Sequence, residues 1–342
     1  ALTLGGGLAA VDALWRHTAV GEPWRGVLVV ATLMLLLQLV GLPFSLWRTF
    51  KIEARFGFNR ISPRLYAVDA GKQLLLAALL GGPLLLAVLV LMDRAGTWWW
   101  LWVWLIWLGW TLGLTWAFPQ FIAPFFNRFS PLADEALKKR VETLLVRCGF
   151  AARGGVFVMD GSLRSAHGNA YFTGIGRNKR IVFFDTLLSR IEPEEIEAVL
   201  AHELGHFRLH HVRQRLAVSV LLAFGGLGLL AWLGARPDFY GALGVPVPSA
   251  AMALLLSMMV VPVFGFFATP LLSWWSRRHE RAADDFAVEH ADAAKLAAAL
   301  VMLFRDNAAP LTPDPFHAAF FDPHPPALER IGRLNHLVSA ER

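Results

Sequence analysis

Cysteine is nearly absent from this 342-residue chain, where Cys148 is the one example. A single thiol excludes an internal disulfide and any cysteine-rich zinc module. Charge is scarce too, at 17% of residues, while hydrophobic residues reach 56%; an average soluble domain carries about 25% charge. The two figures exclude a disordered chain and argue against an ordinary soluble globule. Tyrosine is held to three residues against 25 Phe and 14 Trp, a bias that leans toward lipid contact. The remaining charge is basic, net +6 with a pI near 9.9, which suits nucleic acid or an anionic membrane surface.

Long charge-free runs, by contrast, are plentiful. A spanning helix needs about 20 mostly apolar residues to cross a hydrocarbon core roughly 30 Å thick. Five stretches meet this without Lys, Arg, Asp or Glu: 26–42 (extended by 43–47), 74–92, 97–117, 216–234 and 250–275. The apolar segment 1–10 is too short to span and lacks a basic n-region and a cleavage site. It reads as the tail of a helix that starts upstream. Alternation through five spans puts 48–73, 127–215 and 277–342 on one side, the inner side. The opposite loops hold only Arg16, Arg25, Arg94 and Arg236 of the 32 lysines and arginines. The short 48–72 loop weighs most in the positive-inside rule, and it carries Arg48, Lys51, Arg55, Arg60, Arg64 and Lys72. The inner side is therefore expected to be cytoplasmic. A nucleic-acid partner would need a basic stripe with interleaved aromatics or a binding module; neither is present, and no nucleic acid is expected. The tryptophan cluster from Trp98 to Trp110 reads as an aromatic belt running into a lipid-facing helix.

Residues 127–215 break the hydrophobic pattern and read as a compact α+β insert. An amphipathic helix is expected over 137–148, stopped by Gly149, followed by strands at Val156–Met159, Ala170–Thr173 and Arg180–Phe184. Glu192-Pro193-Glu194-Glu195 then opens a helix, since proline and acidic residues both suit a first turn. The pattern stays helical through His206 and Arg215 into the 216–234 span, which predicts about 15 Å of helix between His206 and Leu216.

On that helix stands His202-Glu203-Leu204-Gly205-His206, an H-E-x-x-H match. Histidines at i and i+4 share one face and can reach one zinc ion, while Glu203 can act on water as general base. The bland alternative is a helix with two incidental solvated histidines. Zinc needs a third protein ligand. His210 and His211 are one possibility, but the metzincin spacing would place Gly and His where Leu209 and Val212 stand. Both therefore read as interfacial basic residues. Glu280 is the better candidate, with Asp284 one turn on and placed to hold a ligand histidine. Their segment also reads as an exposed charged helix.

With these residues in view, His202-Glu203-Leu204-Gly205-His206 and Ser276-Arg277-x-x-Glu280-x-x-Ala283-Asp284 resemble the integral-membrane zinc metalloproteases that include the type 1 CAAX prenyl protease. Asn169-Ala170-Tyr171-Phe172, Lys179-Arg180-Ile181-Val182 and Asp185-Thr186-Leu187 look like that family's substrate-side strands. Phe125-Phe126-Asn127 and Phe56-Gly57-Phe58-Asn59 resemble two of its loop motifs, and His324-Pro325-Pro326 with Glu329-Arg330-Ile331 its C-terminal one. Two departures stand out: the family has seven spans, and it has a small hydroxyl residue where this chain has Pro323. The resemblance implies a gluzincin-type peptidase. One zinc per chain would be held by His202, His206 and Glu280, with Glu203 as base and Asp284 behind a ligand. It assigns His324 to the oxyanion and Arg330 to a substrate carbonyl or carboxylate, and makes Asn169, Ala170 and Tyr171 part of an edge strand that pairs with an extended peptide.

The expected fold is mainly α. It is a polytopic membrane helical bundle, five full spans plus a partial N-terminal one, with a gluzincin-like α+β zinc metalloprotease domain on the inner side. Its parts are 1–125 (helices and basic loop), 126–215 (insert with the motif helix), 216–275 (helical pair) and 276–342 (catalytic segment with the third ligand). The expected function is a membrane-embedded zinc endopeptidase. Its substrates are peptides or proteins, lipid-modified or membrane-associated, met at the lipid bilayer, for CAAX-type C-terminal processing or membrane-protein quality control. Richness in Ala, Leu, Arg and Trp suits a bacterial inner membrane and the second role; a eukaryotic chain would sit in the endoplasmic reticulum. A non-catalytic zinc-stabilised membrane chaperone or adaptor is the alternative, against which the intact Glu203 argues. A channel would want ionisable residues inside its spans, and these have none.

Overall fold

The computed structural model describes residues 2–150, 155–174 and 180–340. Lys179 lies outside them. Among the described residues, five helices are long and apolar enough to cross a membrane: Trp24–Glu53, Pro63–Arg94, Gly96–Phe126, His211–Gly234 and Ala250–His290. Each outruns the charge-free run that predicted it, because polar helix formers such as Lys51 and Lys72 keep the backbone helical beyond the hydrocarbon. Four of the five bury 17% or less of their most apolar stretch, so their side chains face outward, as lipid contact requires. Wider π-helical turns form at Ala77–Gly81, ahead of Pro83, and at Phe118–Ile122, around Pro119. Proline offers no N–H to the carbonyl four residues back, and the helix loosens there.

Two compact units divide the chain. The first comprises Ala1–Arg55, Pro63–Leu112 and Ala217–Phe266. Segment 1–10 is not the helix tail expected of it: residues 2–6 are non-helical, and after Gly6 (φ 77°) a helix begins at Gly7 and runs to Arg16, its Leu8 joining Val29, Leu33, Leu89, Leu230 and Met252 in this unit's core. Gly26 lets helices approach closely there: a Cβ on it would meet Leu89 Cδ1 at 3.1 Å and Ala251 Cβ at 3.4 Å. Part of the tryptophan cluster faces out, as with Trp98 and Trp102, while Trp100 and Trp104 pack edge-on against Phe224. The Trp104 indole N–H donates to the Val220 carbonyl at 3.1 Å.

The second unit comprises Phe56–Ser62, Gly113–Leu216 and Phe267–Arg342. Its sheet has four strands, β1 (Phe129–Pro131), β2 (Val156–Met159), β3 (Ala170–Thr173) and β4 (Arg180–Phe184), in the order β1-β2-β4-β3. β2 and β4 are parallel and the other two pairs antiparallel, which leaves β3 at an edge. The three expected strands are there; the proline-ended β1 is too short for a period to show. Ile181 and Phe183, two apart on β4, are fully buried on one face. With them in the core lie Leu144 of the Glu135–Arg147 helix, Ile196, Leu200 and Leu204 of the Pro193–Arg208 helix, and Leu296 of the Ala293–Asp306 helix. Asp134 caps the first of these helices through the Leu137 N–H, and Gly149 (φ 67°) follows its end.

A second expectation is overturned in the motif helix. The helix carrying the H-E-x-x-H motif does not run on to Arg215: it ends at Arg208, and a new helix starts at His211. Between them His210 takes a left-handed φ of 62°, and its N–H bonds to the Phe207 carbonyl at 3.1 Å. A non-glycine residue in that region costs about 1–2 kcal/mol, so the turn persists only where its surroundings hold it. No single 15 Å rod therefore links His206 to Leu216. The Ala250–His290 helix, in contrast, is continuous through Glu280.

Candidate active site

Position along two helices brings the candidate ligands together. In the Pro193–Arg208 helix, Pro193 takes the first turn and the Glu192 backbone N–H donates to Glu195 Oε2 at 2.9 Å, closing the N-terminus. One turn apart on that helix, His202 and His206 have their Nε2 atoms 3.2 Å apart. Glu280, from the Ala250–His290 helix, places Oε2 3.5 Å from His202 Nε2 and Oε1 3.4 Å from His206 Nε2. Gly205 permits this approach, since a Cβ there would meet the Ala283 backbone at 3.1–3.2 Å and Phe286 Cβ at 3.2 Å.

The donor set fits a small divalent cation. Tetrahedral zinc with bonds of about 2.0–2.1 Å has ligand-to-ligand edges of about 3.3–3.4 Å, close to the separation of the two Nε2 atoms and to the distance from each to its nearer Glu280 oxygen. Proton inventory agrees. His202 Nδ1 stands 2.9 Å from Asp284 Oδ1 and donates to it, so Nε2 is the nitrogen that offers a lone pair to a cation when the ring is neutral. His206 Nδ1 stands 3.0 Å from His211 Nδ1. With its proton there, its Nε2 is bare as well. Two lone pairs and a carboxylate then converge on one point, an arrangement that a cation resolves.

Around the cluster the buried charges are paired. Asp284 is 1% exposed and takes Arg330 bidentately, Nε to Oδ2 at 2.7 Å and Nη2 to Oδ1 at 2.6 Å. Arg330, expected to meet a substrate carbonyl or carboxylate, is itself buried and paired with Asp284 while also lining the cavity; its neighbour Glu329 pairs with Arg281. Burial pulls the His202 imidazole down in pKa, but its bonds to Asp284 and Glu280 outweigh that and the net shift is upward. Burial, reinforced by His202, takes His206 down to about 3, so it is neutral, the form that ligates metal. Burial also raises the Glu203 carboxyl against the opposing pull of His202.

A cavity of about 540 Å³ opens beside these groups. Glu203, Glu280, His202, His324 and Arg330 line its polar part, and Leu296, Leu300, Leu303 and Phe304 its apolar wall. His324 places Nε2 3.6 Å from Glu280 Oε1 with an exposed side chain. Asn169 and Ala170 line the cavity too, at the start of edge strand β3, where Asn169 Oδ1 accepts from the Ala170 N–H at 2.8 Å. Tyr171 is not among the lining residues: its ring packs edge-on against Phe184, with the hydroxyl 4.0 Å from Met159 Sδ. The Phe56–Asn59 loop braces the rim, Phe58 stacking on His167 at 4.6 Å and Asn59 bridging to Ser165. Arg164 ties in the Phe125–Asn127 motif through Asn127 Oδ1 at 3.1 Å and the Phe126 carbonyl at 2.6 Å.

Two features escaped the sequence. The cavity's leucine wall lies on a helix with an ordinary apolar stripe, which carries no chemical signal. His211, set aside with His210 as interfacial, is 4% exposed and touches His206. On one continuous helix it would stand about 140° round from His206; only the His210 turn brings it back.

Comparison with known proteins shows the family. Residues 1–128 match the family described as CAAX prenyl protease N-terminal, five membrane helices, and residues 131–338 match Peptidase family M48. Three of the candidate spans fall within 1–128. The CAAX prenyl protease 1 homolog of Oryza sativa is 36% identical over 309 residues, 89% of this chain and 72% of that protein. CAAX prenyl protease 1 of Saccharomyces cerevisiae is 36% identical over 325 residues, 89% and 70% of the two chains. The Homo sapiens homolog is 32% identical over 346 residues, covering 90% and 72%. Among solved structures, the crystal structure of S. mikatae Ste24p superposes with a TM-score of 0.90 at 30% identity, covering 97% of this chain and 81% of that one. Matched over nearly its whole length in sequence and in fold, the chain belongs to peptidase family M48 and is an integral-membrane metalloprotease.

Proposed function

We propose that the chain is a membrane-embedded zinc endopeptidase in which His202, His206 and Glu280 hold one zinc ion and Glu203 is the general base. The convergence of the two Nε2 atoms, 3.2 Å apart, with the Glu280 carboxylate, whose oxygens lie 3.4 and 3.5 Å from them, carries this reading. When bound, zinc supplies Lewis acidity toward a peptide carbonyl and acidifies water. Glu203, next to a ligand and lining the cavity, takes the proton of the attacking water and returns it to the leaving amine. A carboxyl raised by burial is a stronger base and a better later donor than a solvated one. His324 faces the same space and donates to the carbonyl oxygen as it gains charge. Asp284 fixes the His202 tautomer and Arg330 fixes Asp284, while the cavity face of Arg330 remains within reach of a substrate carbonyl. An extended substrate adds to the free edge of β3 at Asn169 and Ala170, with Tyr171 bracing the strand from its packed face.

For substrate we propose chains cleaved near their C-terminus, lipid-modified as the relatives' names indicate. The wall of Leu296, Leu300, Leu303 and Phe304 suits aliphatic residues flanking the cleaved bond. Zinc analysis and peptide cleavage by the purified protein and its Glu203→Gln variant test the reading. Wild-type protein is expected to hold one zinc and cleave a prenylated Cys-aliphatic-aliphatic peptide faster than its unprenylated twin. Glu203→Gln is expected to keep the zinc and lose cleavage by at least about 10²-fold. Cleavage that survives in the variant removes Glu203 from the mechanism, and no stoichiometric zinc removes the site. Preference for the unprenylated peptide favours membrane-protein quality control.

A further inference from the structure

His206 has a partner to which the peptidase reading gives no role. We propose that His211 is a positioning residue: it accepts the His206 Nδ1–H, fixing that ligand's tautomer and ring plane, and His279 holds it in place by stacking. The inference rests on the metal-site reading above.

An imidazole offering Nε2 to a cation carries its proton on Nδ1. On His206 that N–H faces His211 Nδ1 at 3.0 Å. His211 then keeps its own proton on Nε2 and accepts as a neutral ring. The companion ligand is held differently, His202 donating to the Asp284 carboxylate at 2.9 Å. A carboxylate makes its ligand more basic but adds a negative charge, and this site already carries Glu203, Glu280 and Asp284. A neutral acceptor orients His206 without a fourth.

The surroundings are built for that placement. The left-handed His210 turn returns the chain so that His211 is buried against the motif helix. His279 lies flat on His211, ring centroids 3.9 Å apart and planes 7° apart, and Trp275 meets His279 at 4.5 Å and 61°. Its face covered, the His211 ring still presents its Nδ1 edge to His206. His279 precedes Glu280 on the same helix, so the stack links the helix bearing Glu280 to the ring that orients His206. A buried histidine with only a packing role would be served by any planar side chain, and that is the distinction to test.

His211→Phe keeps a ring to stack and removes the acceptor; His211→Leu removes both; His211→Asn keeps an oxygen acceptor near the Nδ1 position. Zinc affinity of the purified full-length proteins is measured by chelator competition, with helix content checked by circular dichroism. The Phe and Leu variants are expected to bind zinc about 10–100-fold more weakly, and Asn to recover most of that loss. Wild-type affinity in either acceptor-free variant, or a loss in Asn as large as in Phe, overturns the inference. So does lost helix content in both Phe and Leu, which would mark a purely structural ring. A wild-type protein that binds no zinc overturns the metal site instead, so the two failures are distinguishable.

Discussion

Arg330 shows how burial decides the worth of an ion pair. Arg140 makes contacts of 2.6 Å to Glu194 and 2.9 Å to Glu197, as short as those of Arg330, yet its side chain is 38% exposed. Solvent screening limits such a pair to about 0–1 kcal/mol. Arg330 and Asp284 are shielded, with side chains 7% and 2% exposed, so removing one partner strands a charge that water cannot reach. That loss is about 3–5 kcal/mol. Arg330→Met is therefore expected to lower the thermal unfolding midpoint far more than Arg140→Met, read by unfolding of both detergent-solubilised variants. Arg330→Lys should recover only part of the loss, because an ammonium cannot serve both Asp284 oxygens at once. Equal effects of Arg330→Met and Arg140→Met would mean that the buried pair contributes no more than the surface one.

Between residue and element stands Gly205, the small member of the H-E-L-G-H run. Its packing against Ala283 and Phe286 sets the distance between the two ligand-bearing helices. A methyl group there must move backbone rather than a flexible side-chain tip, so Gly205→Ala is expected to cost about 1–3 kcal/mol of stability through overpacking. Displacing Glu280 by a few tenths of an ångström should also weaken zinc binding and slow cleavage. Chelator competition and peptide turnover on the same preparation check this, and unchanged zinc affinity would show that the helices absorb the methyl. Relief at the neighbouring break has the opposite sign: His210→Gly removes a left-handed strain worth about 1–2 kcal/mol and should leave unfolding unchanged or raise its midpoint. The same two positions mark what could be read from the chain. The motif helix, the Glu280 turn, three strands and five apolar runs were legible because each rests on a local period or a spacing within one helix. The break at His210 was not, since no glycine or proline announces it, and with it went the return of His211. The Arg330–Asp284 pair was hidden for a related reason: the two residues lie 46 positions apart, beyond any local pattern.

At the scale of the whole molecule, the sidedness of the basic loops and the near absence of cysteine meet in one experiment. From the bias of basic residues, the positive-inside rule predicts a cytoplasmic position for the loop containing Arg60, and alternation of the spans then predicts the opposite face for the turn at Thr97. Cys148, the one native thiol, is 4% exposed, and burial pushes its pKa up. Alkylation needs the thiolate and access to it. Folded wild-type protein is therefore expected to react with a membrane-impermeant maleimide more slowly than a free thiol (pKa about 8.5) and to react fully once denatured. That silent background makes single introduced cysteines readable without any further substitution. Arg60→Cys and Thr97→Cys both alter exposed side chains. In intact cells the impermeant reagent should label Thr97→Cys and spare Arg60→Cys, and after lysis it should label both. The reverse pattern would place the metal-site loops outside the cytoplasm and exclude cytoplasmic chains as substrates. Labelling of wild-type protein at the rate of Arg60→Cys after lysis would instead mean that the helix ending at Arg147 opens readily.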